Sequence, residues 1–316
     1  MQKIFLSIII FSFFSCSQKP KSGIDINIRN TRTANQVNIP GTRVYMTTPA
    51  GFKFSPELIG FRKGDFAMIT VYDMVGGNYN TNIAQFTKQE LESKGIKVYE
   101  YKNVTVDGFP GRFIHVQGQP GRQTYDLIFG DNTFSTMVMA AFPALDQKAA
   151  ADIIHSMNSI YYDTSKKIDP TAIAGFTVND SMSPFKFRQF SANVFLYTPG
   201  GKEIKGSEDA PMVIISQVPR DQADSDAKSV ATLLLSQVQN YGLSSPEMKN
   251  ISMNSLNGYD TFQGEIHGQF RGKPMIIYCC IIGRGNLFVW LEGFAKNDFD
   301  NNLDAFKKMA ATLRIK

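Results

Sequence analysis

The chain is short of the residues that do chemistry: among 316 residues there are three cysteines, three histidines and one tryptophan. Cys16 stands alone near the start, and Cys279 and Cys280 are adjacent. Neighbouring residues of a strand point to opposite faces, so that pair is badly placed to bond to itself. A disulfide framework is thereby excluded, and the pair reads as two small buried residues of a strand. His115, His155 and His267 fall at none of the spacings that mark a zinc site, and no Cys-x-x-Cys occurs. No Gly-x-Ser-x-Gly elbow is present. Gly283-Arg284-Gly285 lies between expected strands and reads as a hairpin tip rather than a phosphate cradle. Charge of one sign is not in excess: 33 Lys and Arg stand against 28 Asp and Glu, a formal +5, too small and too dispersed to point to nucleic acid. No metal, cofactor or nucleic acid is expected.

What is present begins with a greasy leader. Lys3 precedes an apolar run from Ile4 to Phe14 broken only by serines. As a helix that run rises about 16 Å, roughly half the hydrocarbon thickness of a bilayer, so it does not span. It has the proportions of a secretory signal. It ends Phe13-Phe14-Ser15-Cys16, which resembles a bacterial lipobox, where a small residue precedes a cysteine that receives lipid before the leader is cut away. A plain secretory signal is the alternative. Several acyl chains on one residue anchor far more firmly than a single chain. The expected organisation is a signal peptide over 1–15, then lipidated Cys16 with a polar tether over 16–42. Ser17 rather than aspartate follows the cysteine, which by resemblance to lipoprotein sorting implies the outer membrane, facing the periplasm.

Beyond the tether the sequence repeats itself at an offset near 150. VYMTTPAG at Val44 matches VFLYTPGG at Val194, and VTVDGFPGRFIHVQGQ at Val104 matches NSLNGYDTFQGEIHGQ at Asn254. FSTMVMAAF ending at Phe142 matches LFVWLEGF ending at Phe294, and Met157 falls on Met309. Ordered blocks at a constant offset mark a duplicated unit. Each copy predicts an opening strand, a second strand, a middle helix stopped by Gly95 or Gly242, antiparallel strands with Asp-Gly or Asn-Gly turns, and a closing amphipathic helix. The fold class expected is α+β: two tandem α/β/α sandwich domains, each a central antiparallel sheet flanked by helices, over 43–163 and 193–316 with a linker over 164–192.

Thr48-Pro49-Ala50-Gly51-Phe52, Val104-Thr105-Val106-Asp107-Gly108 and the stretch from Phe134 to Tyr161 are similar to the PsbP-like superfamily, which includes the DcrB-like lipoproteins; the second copy keeps Thr198-Pro199-Gly200-Gly201 and Leu256-Asn257-Gly258. The resemblance implies assembly factors, stabilising subunits and binding modules, and it supplies no catalytic residues to transfer. The candidate partner-binding residues are Phe109, Arg112, Arg122, Tyr125, Tyr259, Phe270 and Arg271, aromatic and arginine side chains near expected turns, the types that interfaces favour. Ordinary packing at the domain edge is the competing explanation. Asp180-Ser181-Met182 resembles an O-glycosylation sequon, with Ser181 as acceptor. Asp107 and Asp126 could be paired as acid and base, but turn chemistry accounts for Asp107 and strand alternation points Asp126 outward. The expected function is non-enzymatic: a lipid-anchored envelope protein that holds another envelope protein. A small hydrophobic ligand between the two copies is the alternative, and an envelope hydrolase the third.

Overall fold

A computed structural model describes residues 22–170, 173–191, 194–204, 209–219, 226–235, 242–285 and 287–316. The protein is α+β and mostly strand. Its first half holds β1 (Asn27–Ile28), β2 (Gln36–Asn38), β3 (Val44–Thr47), β4 (Lys53–Ser55), β5 (Gly60–Lys63), β6 (Ala67–Val75), α1 (Tyr79–Ile83), α2 (Lys88–Ser93), β7 (Lys97–Val106), β8 (Phe109–Gln119), β9 (Arg122–Gly130), β10 (Phe134–Pro143), α3 (Gln147–Asn158) and β11 (Tyr161–Tyr162). The second half holds β12 (Phe176–Thr177), β13 (Phe185–Ser191), β14 (Val194–Pro199), β15 (Met212–Pro219), α4 (Ala227–Leu235), β16 (Leu243–Ser252), β17 (Asp260–Phe270), β18 (Lys273–Arg284), β19 (Leu287–Ala295), α5 (Phe299–Ala310) and β20 (Arg314–Ile315).

The main sheets have orders β1-β7-β8-β9-β10-β6-β5-β4 and β13-β14-β15-β19-β18-β17-β16. Local sequence explains their strands. β6 buries every second residue, the period of a strand with one face on a core. β9 and β18 are buried almost continuously, as central strands covered on both faces must be. Asp107-Gly108 and Asn257-Gly258 take positive φ at both positions, the geometry a tight hairpin requires.

Helices cover both faces of each sheet. On α3, Asp146 caps the N-terminus by accepting from the Ala149 amide, and Ala149, Ala150, Ile153, Ile154 and Met157 are buried, the spacing of one helix face. They join a core with Phe61, Phe113, Phe129 and Phe142. On the other face Ile114, Val116 and Ile128 pack with Tyr79, Phe86 and Leu91. In the second half α5 packs Phe306 and Met309 on Tyr278, Cys280 and Ile282, while α4 packs Ala227 and Ala231 on Phe262 and Ile281. Gly293 leaves room for the Phe306 ring, which lies 2.3 Å from where a Cβ would stand.

Several expectations are corrected. The stretch read as tether is packed from Ser22 onward: Ile24, Ile28 and Ile39 are buried and β1 joins β7 in parallel. Cys16 and the leader lie outside the described residues. The linker is shorter than 164–192, because β12 pairs with β20 and β13 with β14. The two Thr-Pro strands are not equivalent: β3 pairs with β2 and β11 in a small separate sheet, whereas β14 lies inside the main one. Phe142 enters the core beneath α3, but Phe294 packs on the opposite side, with Cys279 and Ile277. The helix expected before Gly95 is broken, with Thr87 capping α2 afresh through a hydrogen bond from the Glu90 amide. The two halves meet through Ile173 and Phe190, each of which packs against both cores.

Candidate functional site

A cavity of about 510 Å³ lies beneath α2 and is lined by Phe86, Leu91, Ile96, Val116, Gly118, Gln119, Arg122, Thr124 and Asp126. Its walls follow from strand alternation: Val116 on β8 and Thr124 and Asp126 on β9 face the same side, and α2 with the turn after it leans Leu91 and Ile96 over them. Asp126 forms the floor. Only 8% of it is exposed, its Oδ1 has no hydrogen-bond partner, and the Thr124 side chain bonds to the carboxyl. Burial pushes its pKa up to about 7, because removing a carboxylate from water costs more than one hydroxyl returns. Below about pH 7 this floor presents a carboxylic acid that can donate a hydrogen bond into an apolar groove. Arg122 stands at the rim.

Asp107 and Asp126, the two carboxylates set aside as an acid–base pair, stand in different surroundings. Asp126 turns inward, contrary to the outward alternation expected. Asp107 sits at its hairpin and accepts from the amides of Tyr162 at 2.7 Å and Asn30 at 3.2 Å.

The partner-binding candidates separate. Phe109 is half-buried and meets Phe134 and Tyr162 edge-on. Tyr125 is buried among His115, Phe113 and Phe142. Tyr259 is buried, and its hydroxyl accepts from the Ile315 amide at 3.1 Å. Arg112 lies 4.4 Å over the Tyr101 ring and bonds to Tyr79. Arg271, at a hairpin with φ of 52°, covers Phe270, which Lys296 also approaches at 4.7 Å. Of the seven, Arg122 alone lines the groove. Ser181 is exposed in a turn whose amide bonds to Asn179 at 3.0 Å.

A second, polar arrangement occurs at one place in both halves. His115 is buried, with Nε2 2.9 Å from Gln123 and Nδ1 3.7 Å from Glu100, beyond hydrogen-bond reach. Burial lowers the His115 pKa and favours the neutral ring. Glu100 is held below the ordinary carboxylate range: burial acts to raise it, but bonds from Lys102 and the Ser22 amide outweigh burial. In the second half Glu265 stands where His115 does, bonded to Lys307 at 2.7 Å, Asn250 at 2.9 Å and His267 at 3.1 Å. His155 is exposed on α3. Cys279 and Cys280 are buried and free.

Sequence reading missed two features. Phe52-Lys53-Phe54 recurs as Phe185-Lys186-Phe187, each opening an edge strand of its sheet. Asp73 is wholly buried, and it gathers Arg43 Nη2 at 2.9 Å, Thr136 Oγ1 at 3.0 Å and the Tyr162 hydroxyl at 3.0 Å. The first was legible as a repeated tripeptide; the second joins residues far apart in the chain and left no local signal.

No family model matches the chain, and no curated protein does. Similar solved structures include the Ran-binding protein Mog1p of Saccharomyces cerevisiae, at 12% identity and a TM-score of 0.32 over 42% of this chain and 86% of that one. Cyanobacterial PsbP (CyanoP) of Synechocystis is 13% identical with a TM-score of 0.29, over 49% of this chain and 100% of that one. The T6SS immunity protein TplEi of Pseudomonas aeruginosa is 10% identical with a TM-score of 0.30, over 89% of this chain and 97% of that one. PsbP, to which the sequence motifs pointed, is thus among the similar structures, at a degree of likeness from which no function carries over.

Proposed function

We propose that the chain is a non-enzymatic lipoprotein of the bacterial envelope, lipid-anchored through Cys16 at the outer membrane and facing the periplasm, whose two tandem PsbP-like sandwich units hold another envelope protein. The matched strand orders of the two sheets support the duplication, as does the recurrence of Phe-Lys-Phe at their edges. On this reading the units run over 22–162 and 173–316.

The groove beneath α2 carries the binding role. Its walls are apolar and its floor keeps one buried oxygen without a partner, a combination that a sealed core avoids. An extended partner segment that lays an apolar side chain between Leu91 and Val116, with a carbonyl oxygen over Asp126, satisfies both. The cavity volume, about 510 Å³, favours a second reading, a small hydrophobic ligand, since small-molecule sites are of this size. That ligand would sit within the first unit rather than between the two.

A photo-crosslinking amino acid placed at Phe86 in the native envelope tests the proposal. One protein should be captured at that position, and the capture should vanish when Val116→Glu charges the groove wall. No protein adduct, together with a retained small molecule in native mass spectrometry, decides for the ligand. Neither adduct nor ligand ends both readings.

A further inference from the structure

We infer that one end of the first sheet lies against a lipid headgroup surface, with Phe66 and Leu145 dipping into it; this rests on the proposed acylation of Cys16. The strand registers define that end. Lys63 pairs with Ala67 across the β5–β6 turn, Arg122 with Pro143, Gln119 with Arg122, and Lys97 with Gln117. The β5–β6, β8–β9 and β10–α3 turns and the start of β7 therefore gather at one end. Two contacts tie them together: Lys63 Nζ lies 3.7 Å from Asp146, and the Ala144 amide donates to Gly121 O at 2.9 Å.

At that end two large apolar side chains face water. Leu145 is 94% exposed and Phe66 68%. Around them stand Lys63, Lys94, Lys97 and Arg122, against Asp65, Asp146 and Glu90, the last paired with Lys94. With Lys63 paired to Asp146 and Lys94 to Glu90, Lys97 and Arg122 stand against Asp65, and apolar tips with a small positive balance suit an anionic bilayer interface.

Chain length directs the anchor to the same end. The segment from Ser22 to Ile28 runs parallel to β7, with the Ser22 amide on Glu100 at 2.5 Å and Ile28 opposite Val106. Traced backward it heads toward Lys97. From Ser22 to Cys16 is six residues, which reach at most about 20 Å. Ser22 stands level with Glu100, about 10 Å along β7 from Lys97 and about 23 Å from Asp107. A lipid on Cys16 therefore reaches a bilayer beside Leu145 with slack to spare, while a bilayer at the far end of the sheet, by Asp107, needs more than the full extension of that segment. Ile96 and Arg122 also line the α2 groove, so its mouth opens beside the membrane and its partner segment is a membrane-proximal one.

The full chain is purified from bacterial membranes, its N-terminal mass is read for acylation, and it is reconstituted in phosphatidylcholine–phosphatidylglycerol vesicles with brominated acyl chains. Emission added by Leu145→Trp or Phe66→Trp over the Trp290 background should be quenched. Emission added by Val75→Trp, exposed at the opposite end of the same sheet, should not. Quenching equal at all three positions, or at Val75 alone, or at none, overturns the proposal; the last outcome would leave the tip as a face for a protein. A chain found without acyl groups refutes the anchor separately. It is then coupled through Cys16 to a maleimide lipid, and the same three positions read the orientation by itself.

Discussion

Asn30 and Asn257 make the same pair of hydrogen bonds from unrelated parts of the chain. Asn257 Nδ2 donates to the carbonyls of Ala311 at 3.0 Å and Leu313 at 3.1 Å; Asn30 Nδ2 donates to those of Asn158 at 2.9 Å and Ile160 at 2.8 Å. Each satisfies carbonyls at the end of a closing helix and just past it, groups a helix end leaves without partners. In the second half the donor comes from the hairpin itself. In the first, the hairpin carries Asp107, an acceptor, and the segment after β1 supplies the missing amide. Asn30→Ala and Asn257→Ala should each lower stability by about 1–3 kcal/mol, read from denaturant midpoints. Asn30→Ala alone should also speed hydrogen exchange at the amides of Thr105 and Asp107, which bond to Ile26 and Ile28.

Asp73 is the centre of a buried network. Arg43 meets it through its own amide at 2.8 Å, through Nε at 3.0 Å and through Nη2 at 2.9 Å, while its guanidinium lies 4.8 Å over Tyr162. Removing one member of such a pair leaves the other charge buried without compensation. Asp73→Ala should cost about 3–5 kcal/mol, whereas Tyr162→Phe, which removes a single donor, should cost about 1 kcal/mol. Equal losses from both would show that the charge pairing is not what holds β3 to the main sheet.

The groove predicts a pH dependence. The Asp126 pKa rises from 3.8 to about 7 on folding. Below the unfolded value both states hold the proton. Between the two values the unfolded chain releases it and the folded chain keeps it, so stability falls as pH rises and levels off above about 7. Full burial sets the size at no more than about 4 kcal/mol. Glu292, pushed up to about 8 by burial, adds a slope of the same sign in the second sheet. Asp126→Asn should therefore reduce the fall in stability between pH 4 and about 7, and Asp126→Asn with Glu292→Gln should reduce it further, leaving the smaller contribution of Asp107, which burial also raises. An unchanged slope in the double variant would place these carboxyls in water.

Why some of this was legible and some not is physical. The hairpin turns announced themselves because Asp107-Gly108 and Asn257-Gly258 need positive φ at both residues, a demand few dipeptides meet. The closing helices showed through their apolar spacing. The segment from Ser22 to Asn38 did not, because Ile24, Ile26 and Ile28 alternate over too short a stretch to read as a strand, and only a long-range partner, β7, makes one of it. Asp126 was misplaced for a related reason: strand alternation gives two faces but not which is covered, and here helices cover both. The groove was invisible for the same cause, since Leu91 and Val116 meet only in space.

The adjacent cysteines provide the last check. In β18, Cys279 faces Leu243, Ile266 and Ile277, and Cys280 faces Val289, Leu291 and Phe306. Burial raises both thiols, Cys280 to about 12, so the thiolate that reacts with alkylating reagents is scarce as well as shielded. A maleimide at neutral pH should leave both unmodified in the folded chain and modify both in denaturant. Cys280→Ser would keep the size but bury a hydroxyl among apolar side chains, and it should destabilise more than Cys280→Ala, which leaves only a small void. Ready modification of either thiol in the native protein would mean that the second sheet opens far more often than so tightly packed a central strand allows.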